Sequence, residues 1–145
     1  MKVSKDVEPF MPPPDYGQSL GGLTINLLVR NLARAIHFHR EVLQVHFLHE
    51  DKDLAIVQGF GTQWMIHADH TYDKHPMYNT LAGVATRGTG MEIRLHGLDP
   101  DEAEARAREH GYKIISASKD QPDHGLREVH IRDDEGYIWV PDISL

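Results

Sequence analysis

From residue 127 the chain reads REVHIRDDEGYIWV. Glu128, His130 and Arg132 fall on one side of an alternating stretch and Val129 and Ile131 on the other. That period of two predicts a strand with one buried face. A DDEG turn and an aromatic, apolar strand follow. The same reading predicts a strand at LTINLLV (23–29) and a helix through NLARAIHFHREVL (31–43). Asn31 is placed to cap that helix. Leu32, Ala35, Ile36, Val42 and Leu43 recur at helical spacing, so one stripe is buried. Strands are expected at 44–50, 54–59 and 63–69, separated by the turn signals EDKD and GFGT. Residues 72–88 carry no clean period and read as a connector.

Beyond the connector the order repeats. TGMEIRLHG (89–97) is strand-like. Asp99, Pro100 and Glu102 supply a cap, a first-turn proline and a first-turn carboxylate. Gly111 is placed to end the helix they begin. Strands at 113–118, 127–133 and 137–143 complete the pattern. The chain therefore reads β-α-β-β-β twice, with Trp64 and Trp139 at matching places. The expected fold class is α+β: two βαβββ modules with curved mixed sheets. Each module packs a helix on one sheet face, and the free faces enclose a central cavity. The divisions are a Pro-rich N-terminal arm (1–22), a first module (23–72), a connector (73–88) and a second module (89–145). In the arm, Pro12, Pro13 and Pro14 predict extended backbone. With Phe10, Met11 and Tyr16 it either frays or lies along its own domain or a partner subunit.

Composition narrows the function. Lys plus Arg number 15 and Asp plus Glu 22, so the net charge is 15 − 22 = −7 with neutral histidine. That balance argues against nucleic acid and anionic membranes, and suits a neutral or cationic small ligand. The absence of cysteine excludes disulfides, thiolate metal sites and thiol catalysis. No apolar run reaches the roughly 18 residues that would cross a bilayer. The start MKVSKDVEPF lacks the apolar core of a signal peptide. A cytoplasmic protein is expected.

The run VRNLARAIHFHREVLQVHF resembles the V-x-D-L-x-x-S-x-x-F-Y-x-x-V-L-G-F opening of the vicinal oxygen chelate superfamily, and RDDEGYIWVPDI is similar to its closing D-P-D-G-x-x-x-E-L. That superfamily holds glyoxalase I, extradiol dioxygenases and the bleomycin and fosfomycin resistance proteins. With the duplication, the resemblance covers about residues 23–144. It implies a small-molecule cavity, a homodimer and, in the family's enzymes, a divalent metal on four side chains. Carried over one at a time, those four places fall on Thr24, on Met65 (or His67 if the register slips by one pair), on Gly90 and on Val140. Threonine, methionine, glycine and valine are poor ligands for such an ion. The resemblance thus implies the cavity without the usual metal, which argues against glyoxalase I activity and extradiol cleavage.

If position 24 faces inward, strand parity turns Asn26, Gln63, His67, Glu92, Arg94, Glu128, His130 and Arg132 the same way. The candidate catalytic residues are Glu92 as general base and His130 or His67 as proton partner. The candidate ligand contacts are Asn26, Gln63, Arg94, Glu128, His124 and Arg127, the last two flanking Gly125 in a loop placed to close over a ligand. Alternatively, Glu92 and Arg94 form a structural ion pair. No cofactor is expected, although a divalent ion on non-standard ligands such as His67, Glu92 and His130 is chemically sensible. HADHTYDKHP (67–76) lacks a fixed helical face and reads as strand and turn capping. His46, His49, His96 and His110 read as surface or edge residues. Three functions follow: acid-base chemistry in a polar groove without the family metal; a non-catalytic binder that sequesters a small molecule or antibiotic; or a lyase or dioxygenase using non-standard metal ligands.

Overall fold

The structure, a computed structural model, describes residues 11–145. Phe10 and the rest of the first ten residues of the arm lie outside them. The elements are α1 (Pro13–Ser19), β1 (Ile25–Val29), α2 (Leu32–Phe38), β2 (His46–Glu50), β3 (Leu54–Gly59), β4 (Thr62–Ala68), α3 (Tyr78–Leu81), β5 (Glu92–His96), α4 (Pro100–Glu109), β6 (Lys113–Gln121), β7 (Leu126–Arg132) and β8 (Ile138–Ser144). The strands form two four-stranded mixed sheets, ordered β1-β4-β3-β2 and β5-β8-β7-β6. In each sheet the first and last strands of a repeat pair in parallel, and the other pairs are antiparallel. The described residues gather into two compact units. One runs to Ile36 and resumes over Val45–Gly83; the other joins His37–Gln44 to Val84–Leu145. Among the described residues, no helix is long and apolar enough to cross a membrane.

In the first unit, Asn31 caps α2 as expected, its Oδ1 accepting the Arg34 N–H at 3.1 Å. Leu27, Val29, Ala55, Val57, Trp64 and Ile66 are buried on one face of the sheet. On the other face, Tyr16 is buried with Leu54 and Ile56, and Met11, Leu20, Leu48 and Met65 pack against them. Pro12 keeps extended backbone as the N-cap, with ψ of 140°, but Pro13 and Pro14, also expected to be extended, open a helix. Their missing N–H groups would be unbonded there in any case, and their fixed φ suits a first turn. His49, expected at the surface, is buried, with Nε2 2.7 Å from the Asp51 carboxylate.

In the second unit, Asp99 accepts the Glu102 N–H at 3.0 Å and starts α4. Ala103 and Ala107 of α4 are fully buried, as are Val129, Ile131 and Trp139. Small alanines let the helix approach the sheet closely. Phe38 and the π-helical turn His39–Leu43 pack here too. The Phe38 ring lies 4.9 Å from Tyr112 and His39 lies 4.9 Å from Trp139.

The DDEG turn is held from inside. The Asp133 carboxylate accepts the N–H groups of Glu135 at 2.9 Å and Tyr137 at 3.0 Å, and the Trp139 indole N–H at 2.9 Å. Gly136 has φ of +90°, and a Cβ there would stand 2.6 Å from the Thr86 Cα. Gly136→Ala therefore meets both backbone strain and a backbone clash. We expect a loss of about 3 kcal/mol or more, read as a lowered denaturation midpoint. A variant as stable as the parent would refute the close approach of these segments.

Candidate functional site

The polar half of the 127–132 alternation finds its partners on β5 and β8. Glu92 lies opposite Ile138, Arg94 opposite Val140 and His96 opposite Asp142. Asp142 in turn lies opposite Glu128 of β7. Alternation then places residues 92, 94, 96, 128, 130, 132, 138, 140 and 142 on one sheet face. The apolar residues between them point to α4.

Arg94 is the hub of that face. Its Nη2 donates to Glu128 at 2.8 Å and to Asp142 at 3.3 Å, and its Nη1 donates to Glu92 at 3.2 Å. His130 Nε2 donates to the same Glu92 oxygen at 2.8 Å and stands 4.0 Å from Glu128. His124 bonds the other Glu128 oxygen at 3.1 Å, and His96 bonds Asp142 at 2.8 Å. Burial separates the carboxylates into two kinds. The side chains of Glu128 and Asp142 are 3% and 1% exposed, whereas Glu92 is 42% exposed. Burial alone would raise the Glu128 pKa. The hydrogen bonds from Arg94 and His124 and the nearby positive charge outweigh it and hold Glu128 below the usual carboxylate range. Burial also works against the Arg94 charge, but Glu128, Glu92 and Asp142 together raise its pKa above the ordinary value.

The other predicted residues are elsewhere. His67, Asn26 and Gln63 belong to the first unit. His67 is buried, its Nδ1 is 2.5 Å from Asn26 Oδ1, and Asn26 Nδ2 donates to the Tyr72 hydroxyl at 2.7 Å. Burial lowers the His67 pKa, favouring the neutral ring. Gln63 Oε1 accepts from the Tyr16 hydroxyl at 3.1 Å. Arg127, one residue out of phase with Glu128, bonds Asp101 and Asp120 instead. Asp142 escaped the sequence reading, although its parity with Ile138 and Val140 was available.

The resemblance carries the family's metal places onto Thr24, Met65, Gly90 and Val140. Val140 is a fully buried aliphatic side chain, Met65 packs beside Tyr16, and Gly90 has no side chain. A different set does converge: one ligand atom each from Glu92, Glu128 and His130 lie within 4.8 Å of one another.

The chain is similar in fold to several solved structures. One is a glyoxalase/bleomycin resistance protein/dioxygenase from Nocardioides, 18% identical, covering 91% of this chain and 92% of that one, with a TM-score of 0.64. Another is a family enzyme from Burkholderia phytofirmans PsJN, 12% identical over 84% and 97% of the two chains, with a TM-score of 0.70. A third is the fosfomycin resistance protein FosX from Listeria monocytogenes, complexed with Mn(II) and sulfate, 12% identical over 86% and 90%, with a TM-score of 0.64. No curated protein matches the chain by sequence. Residues 23–140 match the family profile, and the chain belongs to the Glyoxalase/Bleomycin resistance protein/Dioxygenase superfamily.

Proposed function

We propose that the protein transforms a small organic molecule by acid-base chemistry at Glu92 and His130, without the family's usual metal set. One observation carries this reading. Of the three carboxylates joined to Arg94, Glu92 alone is open to a ligand, and it alone bonds His130. Glu128 and Asp142 are buried and saturated by Arg94, His124 and His96, so they serve the scaffold. Glu92 would take a proton from the ligand, and His130 beside it would return one to the product.

A library of small organic acids, alcohols and carbonyl compounds, screened by thermal shift, supplies ligands that raise the midpoint by mass action. Each hit is then followed for product formation by NMR. Glu92→Gln is expected to slow turnover by about 10²–10⁴-fold while leaving the binding midpoint nearly unchanged. Ligands that bind without ever yielding product would favour a sequestering protein instead.

The convergence of Glu92, Glu128 and His130 favours a second reading, a divalent ion on non-standard ligands, as FosX carries Mn(II) at its own site. Two carboxylates and an imidazole suit such an ion. Arg94 opposes it, because its guanidinium already occupies both glutamates. On the first reading, titration with Mn(II) followed by EPR shows no stoichiometric binding. Stoichiometric Mn(II), lost in Glu92→Gln with His130→Ala, would replace the first reading with the second.

A further inference from the structure

Two steps along the same face stands a pair of cations. Arg132 follows His130 by two residues on β7, about 7 Å along the strand and on the same side. Its cross-strand partner on β6 is Lys113. Like charges directly opposite each other in an antiparallel pair repel. The usual remedy is a carboxylate between them, yet neither the Arg132 nor the Lys113 side chain has a hydrogen-bonding or ion-pair partner among the described residues. Both line a pocket of about 270 Å³ with Ala85, Thr86, Gly111 and Gly136.

Two acids border the same pocket, Asp133 and Asp134. Asp133 is turned inward, with its oxygens taken by two backbone N–H groups and the Trp139 indole. Asp134 is exposed and has an interaction of its own. The pair thus remains uncompensated in a chain whose net charge is −7. The global balance disfavours polyanions, but it does not prevent two adjacent cations from holding one small anionic group.

We propose that Arg132 and Lys113 form an anion-binding subsite for a carboxylate or phosphate-type group of the molecule that reacts at Glu92 and His130. The placement of the reacting group rests on the acid-base reading above; the anion site itself does not. Arg132 is the stronger anchor, since its planar fork meets two oxygens at once, while Lys113 acts as a point charge. The row Glu92–Ile138–Arg132–Lys113 crosses four adjacent strands. With strands about 4.8 Å apart, Glu92 and Arg132 lie about 10 Å apart at the backbone. The substrate class is therefore a short molecule with an oxyanion at one end and an acidic proton several bonds away.

Inorganic phosphate and acetate are the probes, titrated into the ¹⁵N-labelled protein at constant ionic strength, with chloride as the reference anion. Saturable shifts are expected at the Arg132 side-chain N–H and at the amides of Lys113 and Gly136. Arg132→Gln is expected to weaken phosphate binding at least tenfold, and to leave the thermal midpoint unchanged or slightly higher because a repulsion is relieved. Lys113→Gln should weaken binding by a smaller factor, and serves as the main variant if Arg132→Gln fails to fold. Glu92→Gln should bind phosphate as the parent does, so failure of the acid-base reading would leave this result standing. The proposal is overturned if neither probe shifts these signals beyond chloride, or if both cation variants bind phosphate as tightly as the parent.

Discussion

Arg94→Met is expected to destabilise the fold by about 3–5 kcal/mol, because it leaves buried carboxylates without their counter-charge. The side chains of Glu128 and Asp142 are almost wholly buried, and among the described residues Arg94 is the one group bonded to both. Methionine keeps much of the stem volume, so lost charge dominates over lost packing. The pH dependence distinguishes this from a simple packing defect. In the parent, the Glu128 pKa lies below the ordinary value. Its stabilising contribution is present above that ordinary value and is lost as pH falls through the depressed one. In Arg94→Met, burial is opposed only by His124 and His130, and the pKa should move upward instead. The deficit relative to the parent should then shrink as pH falls from 7 to 4, since the stranded carboxylates can take up protons. Chemical denaturation across that range tests it. A deficit that stays constant with pH, or a loss under about 1 kcal/mol, would mean that Arg94 is a surface charge of the ordinary weak kind.

The second large effect concerns Asp133. Burial pushes its pKa from 3.8 up to about 6, against the opposing pull of the Trp139, Tyr137 and Glu135 N–H donors. Between about pH 4 and 6 the folded chain holds more protons on this group than the unfolded chain does. This contribution to stability is therefore fullest below pH 4 and falls by about 3 kcal/mol as pH rises through 6. Asp133→Asn removes the titration. Its amide oxygen can still accept the two backbone N–H groups, but its NH₂ faces the Trp139 N–H, donor against donor. At pH 4.5 we expect the variant to be less stable by about 1–3 kcal/mol. By pH 7.5 the gap should close or reverse. Parallel stability curves for the two proteins would show that Asp133 does not titrate in this window.

Both residues sit where local pattern and long-range pairing meet. The period of two in REVHIR was legible from residue types alone, as was the apolar half that packs under α4. So were the caps at Asn31 and Asp99, since a cap bond reaches only three residues. The duplication and the family were legible because a repeated order of elements and two terminal motifs survive at low identity.

The contents of the site were less legible. Glu92 and His130 share a sheet face by parity, but their 2.8 Å contact spans 38 residues. It exists because β8 enters between β5 and β7. That same insertion makes Asp142 a partner of Arg94, which residue types in VPDISL do not announce. Arg127 went to Asp101 and Asp120 because strand alternation allows no choice of face. Pro13–Ser19 of the arm form a helix because Tyr16 finds Leu54 and Ile56 to bury against, a gain absent from any local propensity. The sequence by itself determined the two βαβββ repeats, their order, the caps at Asn31 and Asp99 and the apolar side of strands such as β1 and β7, since those depend on neighbours within a turn or two. Only the tertiary structure decided which charges meet, because strand order and register are set by packing between segments tens of residues apart.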